Sequence, residues 1–143
     1  MNESTYEMFK KVNGTRKKAD KINMLRNYAA ENPSFWGLIR LSFDPIFEWL
    51  LPEGAPPYKP LAKEFDAQNV LKASSRYLKY FINSPDGQSL TNFKRETMFV
   101  ELLEAVDPED AQLLIEVKDN KLPFKTITLN LIKEAFPDDT RNW

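Results

Sequence analysis

The sequence contains no cysteine and no histidine. The first absence removes disulfide frameworks, thiolate zinc sites and thiol nucleophiles; the second removes imidazole metal ligands, serine–histidine and cysteine–histidine catalysis, and a histidine pH switch. Glycine is nearly as scarce: Gly14, Gly37, Gly54 and Gly87 are too widely spaced for a Walker-type phosphate loop or a dinucleotide fingerprint. No apolar run is long enough to cross a bilayer. Together these gaps exclude much of enzymology and point to a non-catalytic binding module with no cofactor.

What is there suits one folded domain. A chain of 143 residues buries roughly two-thirds of its unfolded surface, and 42% hydrophobic residues are enough to fill a single core. Lys plus Arg number 20 against 21 Asp plus Glu, so the whole molecule lacks the excess charge of a strongly basic nucleic-acid binder. The distribution is less even. Lys10, Lys11, Arg16, Lys17, Lys18, Lys21 and Arg26 make the beginning basic, whereas residues 101–116 carry Glu101, Glu104, Asp107, Glu109, Asp110 and Glu116 with no cation. Lys118, Lys121, Lys125 and Lys133 follow. Such runs read either as solvated helix faces or as a defined electrostatic patch. Met1-Asn-Glu-Ser-Thr shows neither a basic segment leading into an apolar one nor a lipidation pattern, which fits a cytoplasmic protein without membrane attachment.

The apolar spacing predicts an all-α domain of about seven or eight helices over residues 1–137, followed by a flexible tail, 138–143. Ser4 or Thr5 caps a first helix bearing Tyr6, Phe9 and Val12, and Thr15 is placed to cap a second bearing Ala19, Ile22, Leu25 and Tyr28. Asn32-Pro33 and Asp44-Pro45 each pair a cap with a proline at the first helical position, predicting a third helix through Phe35, Leu38 and Ile39 and a fourth through Ile46, Phe47, Trp49 and Leu50. Pro52 to Pro60 contains four prolines and reads as a rigid connector packed on Tyr58, or as a polyproline docking peptide. A long helix preceded by Asp66 is expected through Val70, Leu71, Tyr77, Leu78, Phe81 and Ile82, with a turn at Ser84-Pro-Asp-Gly87. Phe93 to Val106, Pro108 to Val117 and Thr128 to Phe136 complete the helices, with an ambiguous stretch at Phe124-Lys-Thr-Ile127.

Carboxylates are the one catalytic resource left, yet Asp138-Asp139 lies in the polar tail and Asp107, Glu109 and Asp110 are explained by capping and the helix dipole. No enzymatic activity and no metal site are expected. Phe35, Trp36, Phe43, Phe47 and Trp49 read as core or as base-stacking surfaces. Trp143, after Asp-Asp-Thr-Arg-Asn, reads as a peptide anchor for a partner's pocket.

Two stretches resemble the all-α, DNA-binding amino-terminal domain of ATP-dependent DNA ligases, particularly those of tailed bacteriophages. One joins Lys17-Lys-Ala-Asp-Lys-Ile-Asn-Met-Leu-Arg-Asn-Tyr to Asn32-Pro-Ser-Phe-Trp-Gly-Leu-Ile-Arg-Leu-Ser-Phe-Asp. The other runs through Leu90-Thr-Asn-Phe-Lys, Phe99-Val-Glu-Leu-Leu, Pro108-Glu-Asp-Ala-Gln-Leu-Leu and Leu131-Ile-Lys-Glu-Ala-Phe-Pro137. The chain also resembles small tailed-phage proteins with Trp49-Leu-Leu-Pro-Glu-Gly and Lys121-Leu-Pro-Phe-Lys motifs. Ligase chemistry is not implied, because Ser84 stands where Asp86-Gly87 would need a lysine nucleophile. The glycine-bearing loop before the ligase domain's last helix is here Leu122-Pro-Phe-Lys-Thr-Ile-Thr128, without glycine.

The resemblance implies a phage-encoded protein that holds double-stranded DNA by its phosphates. Lys118, Lys121, Lys125, Thr126, Thr128 and Lys133 would make the contacts, with Arg16, Lys17 and Lys18 alongside. The alternative is a protein-interaction factor, an adaptor to phage replication or transcription machinery or an inhibitor of a host protein, that keeps the fold and has lost the DNA surface.

Overall fold

The computed structural model describes residues 3–62 and 70–143. Local chemistry sets the first three helices. The Ser4 hydroxyl accepts the Glu7 amide and starts α1, Thr5–Gly14. Helix α2, Lys18–Glu31, ends at Asn32, and Pro33 opens α3, Pro33–Phe43. Thr15 does not cap α2. Its hydroxyl donates to the Lys11 carbonyl at 2.8 Å and its amide to Val12, so it closes α1, and Lys17 is left at the α2 cap with no side-chain hydrogen bond.

The expected fourth helix at residues 45–51 is not formed. The Leu50 amide donates to the Phe81 carbonyl and the Asn83 amide to the Glu48 carbonyl, making an isolated antiparallel bridge between Trp49 and Ile82. Pairing across thirty-odd residues therefore outweighs the local cap-and-proline signal. Beyond the irregular proline connector, the described part of the expected long helix is α4, Val70–Ser74, continued not as α-helix but by a tighter 3₁₀ helix, Ser75–Phe81. The Asp66 cap lies outside the described residues.

Ser84 caps the one-turn α5, Pro85–Gln88, and Thr91 caps α6, Asn92–Ala105. Asp107 accepts the Glu109 amide at the start of α7, Pro108–Lys118. The end of α7 is a Schellman motif: Asn120 takes a left-handed φ of 58°, Lys121 donates back to Glu116 and Asn120 to Val117. Residues 124–127 form a turn closed by the Ile127 amide on Phe124, and Thr128 caps α8, Leu129–Ala135.

One apolar core joins these elements. Helix α3 packs against α1, α2, α4 and α7, bringing Phe35, Leu38 and Ile39 against Phe9, Leu25 and Leu113 in the buried interior. The Phe9 and Phe35 rings lie 4.5 Å apart, and Phe81 meets Phe99 edge-on at 5.2 Å. Phe93, the first apolar residue of the segment read as this helix, is 80% exposed. Among the described residues no helix is long and apolar enough to cross a membrane.

Residues 138–143 continue in turns after Pro137. The Thr140 amide and hydroxyl both donate to the Phe136 carbonyl, and the Trp143 amide donates to Thr140. These turns lay the Trp143 ring on Trp36 at 6.1 Å and 22°, with Phe136 4.8 Å from Trp36 on the same cluster. Residues 138–143 thus fold back on α3, because a pair of indoles buries more apolar surface together than either does in water.

Candidate nucleic-acid interface

Helix α2 starts directly after Arg16 and Lys17, and α8 starts directly after Thr126-Ile127-Thr128. The two helices pack together, and their amino-terminal ends meet in a depression of about 230 Å³. Arg16, Lys18, Lys21, Thr126, Thr128 and Glu134 line it. Basic residues from the start of the chain and hydroxyls from its last loop are therefore brought together across more than one hundred residues of sequence.

The charges in the depression are partly matched. Lys18 Nζ lies 2.6 Å from a Glu134 carboxylate oxygen, an exposed pair that also tethers α2 to α8. Behind it, Arg26 Nε donates to the Ala135 carbonyl at 2.7 Å, reinforcing the same junction. Arg16 and Lys17 are exposed beside the uncapped start of α2, where first-turn amides and the positive end of the helix dipole favour an anion.

The hydroxyls are engaged elsewhere. Thr126 donates its amide to Asn13 Oδ1 at 3.0 Å and its hydroxyl to the Asn13 carbonyl at 2.8 Å, locking this loop to the end of α1. Thr128 Oγ1 accepts the Leu131 amide at 3.2 Å as the α8 cap. Thr126 thus spends its donors on Asn13, whereas Thr128, accepting at its oxygen, keeps its hydroxyl proton to donate into the depression. Lys121 and Lys125 are exposed on the loop between α7 and α8, and Lys133 is half-buried on α8, outside the lining.

Lys118 is withdrawn from any surface contact. Its side chain is 2% exposed, and its ammonium donates to the Pro52 and Gly54 carbonyls at 2.8 and 3.0 Å as well as to Asp119. Asp119 in turn accepts the Gly54 amide. Burial pushes the Asp119 carboxyl up, but the Lys118 hydrogen bond and the Gly54 amide outweigh it and hold the group below its usual range. The knot fixes the proline connector to the end of α7. No spacing rule reveals it, since the carbonyls come from more than sixty residues away.

Sequence reasoning also missed Arg95. This 4% exposed residue has no carboxylate partner among the described residues; its guanidinium donates to the carbonyls of Gly87 at 2.6 Å, Leu90 at 2.9 Å and Leu50 at 3.4 Å, and to Asn92 Oδ1. Tyr77, one of the residues that mark the expected long helix, is 40% exposed and stacks 6.3 Å from Tyr80. Among the described residues no group of three or more acidic side chains is gathered as a metal site.

Residues 8–123 match a family of unknown function, DUF6433. The chain belongs to that family. The matched span includes the basic start of α2 and the buried cations Arg95 and Lys118, and it stops before Lys125 and α8. No curated protein and no solved structure matches the chain.

Proposed function

We propose that this protein is a non-catalytic, phage-encoded helical module that holds duplex DNA by its phosphates at the junction of α2 and α8. The carrying observation is the convergence of Arg16, Lys18 and Lys21 with the α8 loop in one depression, beside an α2 start that no side chain caps. Arg16, Lys17 and Lys21 supply the charge, with Lys125 on the neighbouring loop. Lys18 contributes once a phosphate competes with Glu134. Thr126 and Thr128 hold the loop in place. Contacts of this type read backbone charge and carry no base sequence.

Fluorescence anisotropy of labelled intact and nicked duplexes, at low and then physiological salt, tests the reading. Micromolar binding that weakens steeply with salt is expected, with a logarithmic slope of about −0.9 per phosphate neutralised. Arg16→Glu with Lys17→Glu should weaken binding to all sequences alike, and Lys125→Glu should do so less. Absence of duplex binding at low salt would retire the proposal.

A second reading, the protein-interaction factor, is favoured by Phe93, which projects 80% exposed from the first turn of α6. Phe93→Ser should then abolish partner capture while leaving the fold intact, and Trp143→Ser should matter less because that ring is already stacked on Trp36.

A further inference from the structure

A 3₁₀ helix has three residues per turn, so side chains three apart eclipse and the helix presents three columns. In Ser75–Phe81 these columns are chemically distinct. Leu78 and Phe81 form the inward one, buried in the core. Arg76 and Lys79 form the second. Tyr77 and Tyr80 form the third, with ring centroids 6.3 Å apart and planes inclined by 28°. The Arg76 guanidinium lies 4.9 Å from the Tyr77 ring centre and the Lys79 ammonium 5.4 Å from that of Tyr80.

The charge of this face has one sign along its own segment. Residues 70–83 hold Lys72, Arg76 and Lys79 and no carboxylate. Among the described residues the acids facing it come from other elements: Asp86 pairs with Lys79 at 3.2 Å, and the field of Lys72 reaches Glu3. Both members of the Lys79–Asp86 pair are about half exposed, so a stronger anion can replace the carboxylate at small cost. Tyr80 is half-buried against the core and backs the column, whereas Tyr77 is 40% exposed and its hydroxyl accepts from Arg76 at 3.1 Å, so Tyr77 is the ring offered to a ligand.

We infer that the Tyr77–Tyr80 column, flanked by Arg76 and Lys79, is a stacking platform for unpaired nucleotides of a single-stranded nucleic acid. Paired bases in a duplex keep their faces covered by their neighbours, whereas an unpaired base has a π-face free to stack on an exposed phenol ring. Adjacent cations then meet the phosphates on either side of the stacked base. Neither the α2–α8 depression nor duplex binding is needed for this site.

The test is anisotropy of a labelled oligothymidylate about 15 nucleotides long, with the full chain and with variants of each surface. The wild type should bind at low salt. Tyr77→Ala should weaken that binding roughly tenfold, and Tyr77→Phe should keep it, since the ring and not the hydroxyl does the stacking. Arg76→Gln with Lys79→Gln should shallow the logarithmic salt slope by up to about 1.4, about 0.7 for each lost single-strand contact. Arg16→Glu with Lys17→Glu should leave oligothymidylate binding unchanged while reducing duplex binding. The inference is overturned if the wild type does not bind the oligonucleotide, if Tyr77→Ala binds like wild type, or if Tyr77→Ala weakens duplex and single strand equally. Circular dichroism of each variant verifies that the helical content is retained.

Discussion

Residues 5–43 and the described residues of 44–90 are held together differently. The first stretch is three regular helices whose apolar sides, through Phe9, Leu25, Phe35 and Leu38, meet in the core. The second has a bridge, a proline connector, a 3₁₀ helix and a one-turn helix, and its backbone groups are tied by side chains. Arg95 gathers three carbonyls from Leu50, Gly87 and Leu90; Lys118 gathers two from Pro52 and Gly54; Asn83 accepts the Glu48 amide and donates to the Ile46 carbonyl. Where the chain forgoes the internal hydrogen bonds of long helices, buried cations satisfy the carbonyls instead.

The strongest way to break this comparison is Arg95→Met. It takes the guanidinium from the Leu50 and Leu90 carbonyls and leaves the Gly87 carbonyl with the Leu90 amide, and about 3–5 kcal/mol of stability should be lost by analogy with a buried charge network losing one member. Urea denaturation measures the cost, and hydrogen exchange should show residues 44–90 opening before α1 to α3. A loss below about 1 kcal/mol would mean that the second stretch stands on apolar packing too.

The first stretch has a buried polar tie of its own, and pH sharpens the contrast there. Asp110, fully buried in the first turn of α7, accepts the Tyr6 amide at 2.8 Å and leaves Oδ2 without a partner. Burial pushes its carboxyl up to about 7, the Tyr6 amide opposes the shift, and the negative charges of Asp107, Glu109 and Glu7 add to it. The folded state then holds the proton more tightly than the unfolded one, whose carboxyl titrates near 3.8. Stability from this group is complete below about pH 4 and is lost as the pH rises to about 7. Asp110→Asn should flatten that decline, gaining on the order of 4 kcal/mol over wild type near pH 8 and almost nothing near pH 4. Thermal melts across this range decide it; parallel curves for the two proteins would remove Asp110 as the cause.

The smallest effect concerns the join between the connector and α7. Asn120 holds a φ of 58° at the helix end, a position where glycine carries no steric cost. Asn120→Gly should therefore stabilise by a few tenths to about 1 kcal/mol. Destabilisation in the same melts would show that the asparagine side chain supports the neighbouring Lys118–Asp119 knot.

What could be read from the sequence was the local chemistry. Ser4, Asn32-Pro33, Asp107-Pro108 and Thr128 start helices where the residue types demand, because caps and first-turn prolines act within four residues. Thr15 is misread locally, since it bonds Lys11 and Val12 and closes α1 instead of opening α2; other misread elements depend on distant partners. Asp44-Pro45 looks like Asn32-Pro33, yet its continuation pairs with residues 81–83. Lys118 looks like any lysine at the end of an amphipathic helix until the Pro52 and Gly54 carbonyls arrive from another part of the chain. At the candidate interface, the basic start of α2 and the α8 loop could be picked out separately by residue type. Their meeting in one depression, and the engagement of Thr126 by Asn13, follow only from the packing of α8 against α2. The tyrosine column was written in the Arg76-Tyr-Leu-Lys-Tyr80 repeat, but reading it requires a period of three rather than 3.6.

The indole of Trp143 resting on that of Trp36 also gives the molecule an optical signature. Rings 6.1 Å apart and 22° from parallel share their excited states, so the pair behaves as a coupled chromophore whose circular dichroism differs from that of two isolated tryptophans. Trp49, held in the bridge with Ile82, is the remaining indole and senses a different neighbourhood. The spectrum of the unlabelled protein thereby distinguishes lifting of residues 138–143 from loosening of the middle of the chain.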